Sequence, residues 1–375
     1  MGRSQRRPII GRSVVATTYG IVAASQPLAA RAGTLQLERG GTAVDAAIAA
    51  NAAIGLMEPT GNGIGGDLFV IYYEAGTGKM YGLNSSGYAP AGLSARHLRS
   101  KGHGTMPQRG IYSVTVPGVV AGWDALRHRF GTKTFSELLA PAIFYANHGY
   151  PVSEVISGTW SNAVELLSQF PNAAKTFLMD GHAPGPGEVF RNPELANSLQ
   201  LIADHGRDAF YKGPIAHAIL QISREQGGTF TADDLAGFEP EWVTPISTTY
   251  RGWTVNELPP NSIGIAALLM LNIMEQYPLS EWGFHSTQAL HVMIEAKKLA
   301  FADLVRYVGD PRFSDVPVQS LLSKRHASGR AKLIDMKRAA CSVQPSRLEG
   351  LTDSEGNDTI YISAIDKEGN IASLI

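Results

Sequence analysis

Apolar and polar positions along this chain follow two periods, and the clearest period of two lies close to the C-terminus. Thr359, Tyr361, Ser363 and Ile365 interleave with Ile360, Ile362 and Ala364, and β-branched residues dominate the run, which predicts a strand opening at Thr359. Asp366-Lys-Glu-Gly-Asn370 reads as a Gly-containing turn, and residues 371–375 as the returning strand. Residues 67–74 and 79–84 predict a second strand pair joined across 75–78. Helical periods fill much of the rest. Residues 23–57 read as helices with alanine-rich faces suited to close packing, with Thr42 as an N-cap and Pro59 as a stop. Pro117 and Gly118 shape an extended-to-helix turn, and helical patterns follow through Phe130, over 134–148 and over 152–170. Thr231 and Asp234 have capping-box spacing. An extended region over 243–255 leads into an apolar helix over 265–274. Residues 288–307 form the clearest amphipathic helix, with Leu290, Ile294, Lys298 and Phe301 near helical spacing. Residues 336–357 are polar, include Pro345 and an acidic cluster, and read as a mobile linker.

Length and charge narrow the classes. The 375 residues suffice for two or three average domains or one large α/β fold. Charged residues are 17% of the chain and glycines number 40, which points to a large buried core with many tight turns. A net charge of −1 leaves no electrostatic footprint for nucleic acid. The single cysteine, Cys341, excludes an internal disulfide. Arg3, Arg6 and Arg7 precede no uninterrupted apolar core of signal-peptide length, and no stretch has the length of a membrane span. A cytoplasmic protein without a membrane partner is the expectation.

Several candidate chemistries fall away. Residues 61–66, Gly-Asn-Gly-Ile-Gly-Gly, match G-x-G-x-x-G, but a helix precedes them and a strand follows, the reverse of a dinucleotide site. Their glycines are expected to let backbone pass close to an active-site wall. His291 and Glu295 stand at i, i+4 but belong to no H-E-x-x-H motif, so packing or a surface pair accounts for them better than a metal. No G-x-S-x-G turn and no Walker-type loop is present. Neither a metal nor a cofactor is expected.

Thr359 remains. A hydroxyl needs an adjacent base to become a nucleophile, and a threonine's own free α-amine, with a pKa of roughly 7.7–8.0, is one recurring solution. In an uncut chain that amine is an amide, so the chemistry requires prior cleavage between Asp358 and Thr359. By itself the local pattern is better accounted for as an ordinary surface hairpin, since β-branched residues are common at strand starts.

The segment Asp-Thr-Ile-Tyr-Ile-Ser-Ala-Ile-Asp-Lys-Glu-Gly-Asn, ending at Asn370, resembles the start of the small subunit of γ-glutamyltransferases (glutathione hydrolases). These N-terminal-nucleophile hydrolases are zymogens that cut themselves before a catalytic threonine. The resemblance extends through the alanine-rich helix and glycine loop, residues 114–123, 206–213 and 229–235, and the passage from 243 to 274, in the same order. It implies a four-layer αββα sandwich, Thr359 as nucleophile, and Asp358–Thr359 as the autocleavage bond. It further implies the division of one compact domain into a large-subunit region, 1–358, and the start of a small-subunit region, 359–375. It also implies a large/small-subunit heterodimer acting in glutathione metabolism, with γ-glutamyl amides as donors and an amino acid, peptide or water as acceptor. Where the family carries an arginine that grips the α-carboxylate of the donor, this chain has Ser86. Serine offers one hydrogen bond in place of a bidentate ionic pair.

That departure leaves room for a related threonine amidohydrolase or acylase on glutaryl, oxamate-type or cephalosporin side-chain amides. In the family the small subunit also supplies the oxyanion-hole glycines and half of the central sheets. The 375-residue chain alone is therefore expected to be inactive, either as part of a working enzyme or as a non-catalytic relic.

Overall fold

The computed structural model describes residues 14–346 and 360–375. Its centre is a six-stranded antiparallel sheet in the order β1-β9-β10-β2-β3-β6. In chain order the strands are β1 (Gly20–Ala23), β2 (Leu68–Glu74), β3 (Lys79–Ser85), the short pair β4 (Tyr150–Pro151) and β5 (Val189–Phe190), β6 (Glu241–Val243), β7 (Ile246–Tyr250), β8 (Trp253–Glu257), β9 (Ile362–Asp366) and β10 (Ile371–Leu374). The last hairpin is inserted in the middle of the sheet, with β9 against β1 and β10 against β2. The expected turn closes it: Asp366 N–H donates to Asn370 O at 3.1 Å, and Gly369 takes a φ of +85° that suits glycine. Described pairing begins at Ile362, opposite Leu374 of β10 and three positions beyond the predicted opening, and β1 joins one residue later with Ala23 opposite Ser363. Thr359 and Asp358 lie outside the described residues.

Alternation along these strands decides what is buried. Ile362, Ala364, Ala372, Leu374, Leu68, Val70 and Tyr72 are all at most 3% exposed, on the face where α1 (Pro27–Glu38) packs on β1 and α2 (Ala43–Met57) on β9 and β10. Almost all of α2 is buried, because alanine lets a helix approach a sheet on one side and α1 on the other. A Cβ added at Gly33 of α1 would stand 2.7 Å from Ala46 O, so the two helices touch backbone to backbone. Thr42 caps α2 in a reciprocal box with Asp45. Asp45 is fully buried and also accepts from Thr132 N and Oγ1, at 3.1 and 2.8 Å, which locks the loop after α3 (Val119–Phe130) onto the start of α2. The opposite face of the sheet is half open: Ile21, Ile365 and Tyr361 are 40%, 39% and 56% exposed.

A second unit sets the hairpin β7–β8 under α6 (Ile265–Met274), which packs on α7 (Thr287–Tyr307) and α8 (Lys324–Ala331). The helix predicted over 288–307 forms, but it buries a different stripe. Leu290 and Ile294 are 41% and 57% exposed, whereas Val292, Ala296, Leu299 and Ala300 are core, together with the carboxylates Glu295 and Asp303. The carboxylates are tolerated because both are paired. Glu295 holds Lys298 Nζ at 2.5 Å, and Asp303 accepts Ser346 N at 2.5 Å, pairs with His326 Nε2 at 3.0 Å and has the Arg330 guanidinium beside it as an ion pair at 3.1 Å. These bonds also overturn the linker reading for residues 336–346. Ala340 N donates to Glu295, Lys298 to Ala340 O, and Arg330 to Gln344 O, so this stretch is fastened along α7 and α8. Cys341 is exposed on it. His291 bonds Asp335 O at 2.9 Å and does not join Glu295. Among the described residues no His, Cys, Asp or Glu group could hold a metal, and no helix is long and apolar enough to cross a membrane.

Candidate active site

The chain immediately before β9 runs into the core. Ile360 is 9% exposed, and its Cγ2 lies 3.5 Å from where a Cβ on Gly61 would stand. The glycine loop 61–66 therefore flanks the residue that follows Thr359. Around it opens a cavity of about 280 Å³, lined by Ile360, Ala52, Val119, Trp123, Asn51 and Asn192 among others. Close passage of backbone, the expected use of the glycines, brings Gly63 Cα to 3.4 Å from where a Cβ on Gly55 would stand, but it is not what requires glycine at 63 and 65. A Cβ at either would meet nothing within 4 Å. What their missing side chains preserve is open space.

Two buried amides face this arrangement. Asn51, 7% exposed, accepts the indole N–H of Trp123 at 2.8 Å. Asn192, 5% exposed, accepts the backbone N–H of Leu195 at 2.9 Å as the N-cap of α5 (Pro193–His205), which packs on α4 (Phe135–His148). Asp67 stands at the cavity mouth. Asp67 is an exposed residue, and desolvation of its carboxyl beside the cavity pushes it above the ordinary aspartate value, opposed by its own backbone N–H.

Asp67 and Ser86 flank the last pair of the β2–β3 ladder, Leu68↔Ser85, so both belong to the end of the sheet at which Ile360 enters. Phe69 in the same end row exchanges hydrogen bonds of 2.9 and 3.0 Å with Ile375. Ser86 is held in a polar relay: its N–H donates to Asn84 Oδ1 at 3.1 Å, and its Oγ accepts from Asn261 Nδ2 at 3.0 Å. It lines a second cavity of about 270 Å³ with Tyr88, Glu241, Asp310 and Arg312. Arg312 lies 4.1 Å from the Tyr88 ring centroid and is gripped by Asp310, with Nε to Oδ1 at 3.0 Å and Nη2 to Oδ2 at 2.5 Å. Those bonds hold the Asp310 carboxyl below its usual value against the opposing effect of burial. Sequence reasoning missed Arg312, Asn261, Asn51, Asn192 and Asp67. For Arg312 the only local sign was an arginine beside Pro311 in a turn-rich stretch; the buried asparagines carried none.

A family model described as gamma-glutamyltranspeptidase matches residues 29–375, from the first buried helix through the last hairpin. The chain belongs to this enzyme family. It is 37% identical over 367 residues to the glutathione hydrolase-like YwrD proenzyme of Bacillus subtilis, covering 98% of this chain and 68% of that protein. Among solved structures it resembles a cephalosporin acylase from Bacillus halodurans, with a TM-score of 0.86 at 38% identity, over 100% of this chain and 68% of that one. It also resembles the gamma-glutamyltranspeptidase of Helicobacter pylori, with a TM-score of 0.83 at 30% identity, over 90% of this chain and 99% of that one. The chain spans 63% of a Pseudomonas glutathione hydrolase proenzyme that it also matches. For a gamma-glutamyltranspeptidase the fold is the expected one. A helix layer covers the six-stranded sheet, and the β7–β8 hairpin lies beneath a second helix layer, as in the αββα sandwich of N-terminal-nucleophile hydrolases.

Proposed function

We propose that this protein is a γ-glutamyl hydrolase and transferase whose nucleophile is Thr359, matured by cleavage between Asp358 and Thr359 into a large and a small subunit. The observation that carries the reading is the burial of Ile360 beside the glycine loop. Ile360, the next residue in sequence after Thr359, lines the cavity of about 280 Å³. In maturation the Thr359 hydroxyl attacks the Asp358 carbonyl, the peptide nitrogen becomes an amine on the resulting ester, and water hydrolyses that ester. Asp358 leaves as a carboxylate and the amine is freed. In turnover that amine takes the proton from the attacking hydroxyl and passes it to the departing amine. The acyl group then rests on Oγ until water or an acceptor amine removes it. The donor is glutathione or a related γ-glutamyl amide, and the acceptor is an amino acid, a peptide or water.

The test follows the bond. Intact mass and N-terminal sequencing should find a new terminus at Thr359 in the wild-type protein and none in Thr359→Ala, with Thr359→Ser still processed. A Thr359→Ala protein cut at the same bond would end this reading.

A second reading, an acylase for glutaryl, oxamate-type or cephalosporin side-chain amides, draws its support from Ser86. The cavity beside it sets Glu241 and Asp310 against a single arginine, Arg312, which is already paired with Asp310. Relative turnover of γ-glutamyl, glutaryl and oxamate-type amides separates the two readings.

A further inference from the structure

The cavity behind Ile360 contains two polar groups that the fold leaves unspent. The indole of Trp123 is only a donor and the backbone N–H of Leu195 is only a donor, so the oxygen of each asparagine is fixed by the bond it accepts. Each NH2 group then faces away from that bond, and among the described residues neither donates to any protein acceptor. Both side chains are more than nine-tenths buried, and both line this one cavity. Neither nitrogen is sealed inside protein, so both are open to the cavity, and two free donors around one space favour an acceptor between them. Ala52, Val119, Trp123 and Ile360 add apolar wall, Asn62 adds a third amide whose NH2 is spent on Glu58 O at 3.0 Å, and the described lining contains no lysine, arginine or histidine. The one ionisable group is Asp67 at the mouth, which disfavours an anion. The glycine loop keeps the space open, and its size lies at the lower end of small-molecule sites.

We propose that this cavity is a binding pocket for a small uncharged carbonyl group on an aliphatic stem, as in the acyl end of an amide, with its oxygen between the amides of Asn51 and Asn192. Its wall includes the residue after Thr359, so a chain bound there lies next to the proposed nucleophile. That link rests on the threonine reading. The binding itself does not.

Asn192→Asp separates the two duties of one side chain. It keeps the oxygen that caps α5, which aspartate does as well as asparagine and which a helix N-terminus favours, while removing the NH2 donor. Ala52→Leu fills the space instead. Binding of isovaleramide and of isovalerate is measured by calorimetry and saturation-transfer NMR, on the wild-type protein and on Thr359→Ala. The expected result is saturable binding of the amide in both, weaker or absent binding of the carboxylate, and a loss of about five- to tenfold in Asn192→Asp. Ala52→Leu, checked by its unfolding transition, should abolish binding. No saturable binding of isovaleramide, or equal binding to Asn192→Asp, overturns the proposal, whatever happens to hydrolysis. Should Ala52→Leu fail to fold, Asn192→Asp decides alone.

Discussion

Asp366, the last residue of β9, accepts a 3.0 Å hydrogen bond from the backbone N–H of Ala43, the first residue of α2. That N–H has no partner inside its helix, and Thr42 and Asp45 already serve each other in the capping box. The same carboxylate accepts Asn370 N at 2.9 Å and Asn370 Nδ2 at 3.0 Å, so one buried side chain closes the hairpin turn and fastens the hairpin to the central helix. Asp366→Ala leaves those buried donors without an acceptor. Denaturant unfolding should show a loss of about 2–4 kcal/mol. A loss below about 0.5 kcal/mol would mean that the turn, not the carboxylate, holds the hairpin in place.

Ser86 offers a gain-of-function test. Ser86→Arg brings a guanidinium to a cavity that already contains Glu241 and Asp310, at the cost of the Asn261 bond to Oγ. Under the γ-glutamyl reading, kcat/KM for γ-glutamyl relative to uncharged acyl donors should rise by about tenfold, the scale of one charge-assisted pair. An unchanged ratio in a folded variant would remove position 86 from donor recognition.

Acid stability should report on Asp234. Burial raises its carboxyl pKa, but the backbone N–H of Ala91 and the hydroxyl and N–H of Thr231 outweigh that and leave it below the ordinary value. A folded-state pKa below the unfolded one stabilises above about pH 3.9, the unfolded value, and that stabilisation is lost as pH falls through the folded value. Thermal unfolding of the wild type should therefore decline more steeply below pH 4 than that of Asp234→Asn, and the two curves should converge at the acid end. Parallel curves would assign the capping to Thr231 alone.

Two substitutions on α7 check which of its stripes is buried. Val292 is fully buried, so Val292→Ala should cost about 1–3 kcal/mol in urea unfolding. Ile294 is 57% exposed, so Ile294→Ser should stay within about 0.5 kcal/mol. The reverse order would restore the stripe that spacing alone suggested.

Much of the scaffold was legible because local forces set it. The N-cap at Thr42, the capping box at Thr231, the turn at Asp366–Asn370 and the helix Ile265–Met274 each depend on residues a few positions apart, and each formed as read. The stripe on α7 was not legible. Its buried face uses alanines and two carboxylates, and a carboxylate enters a core only when distant partners such as Arg330, His326 and the backbone of Ser346 are brought to it. The sequence by itself determined the hairpin and the capped helices, because period, turn chemistry and capping act over short spans of chain. Only the tertiary structure decided that Asn51 and Asn192 share one cavity with Ile360, and that Arg312 faces the space beside Ser86. Those neighbours come from elements far apart in the chain, and strand order and helix packing, which no local pattern encodes, put them together.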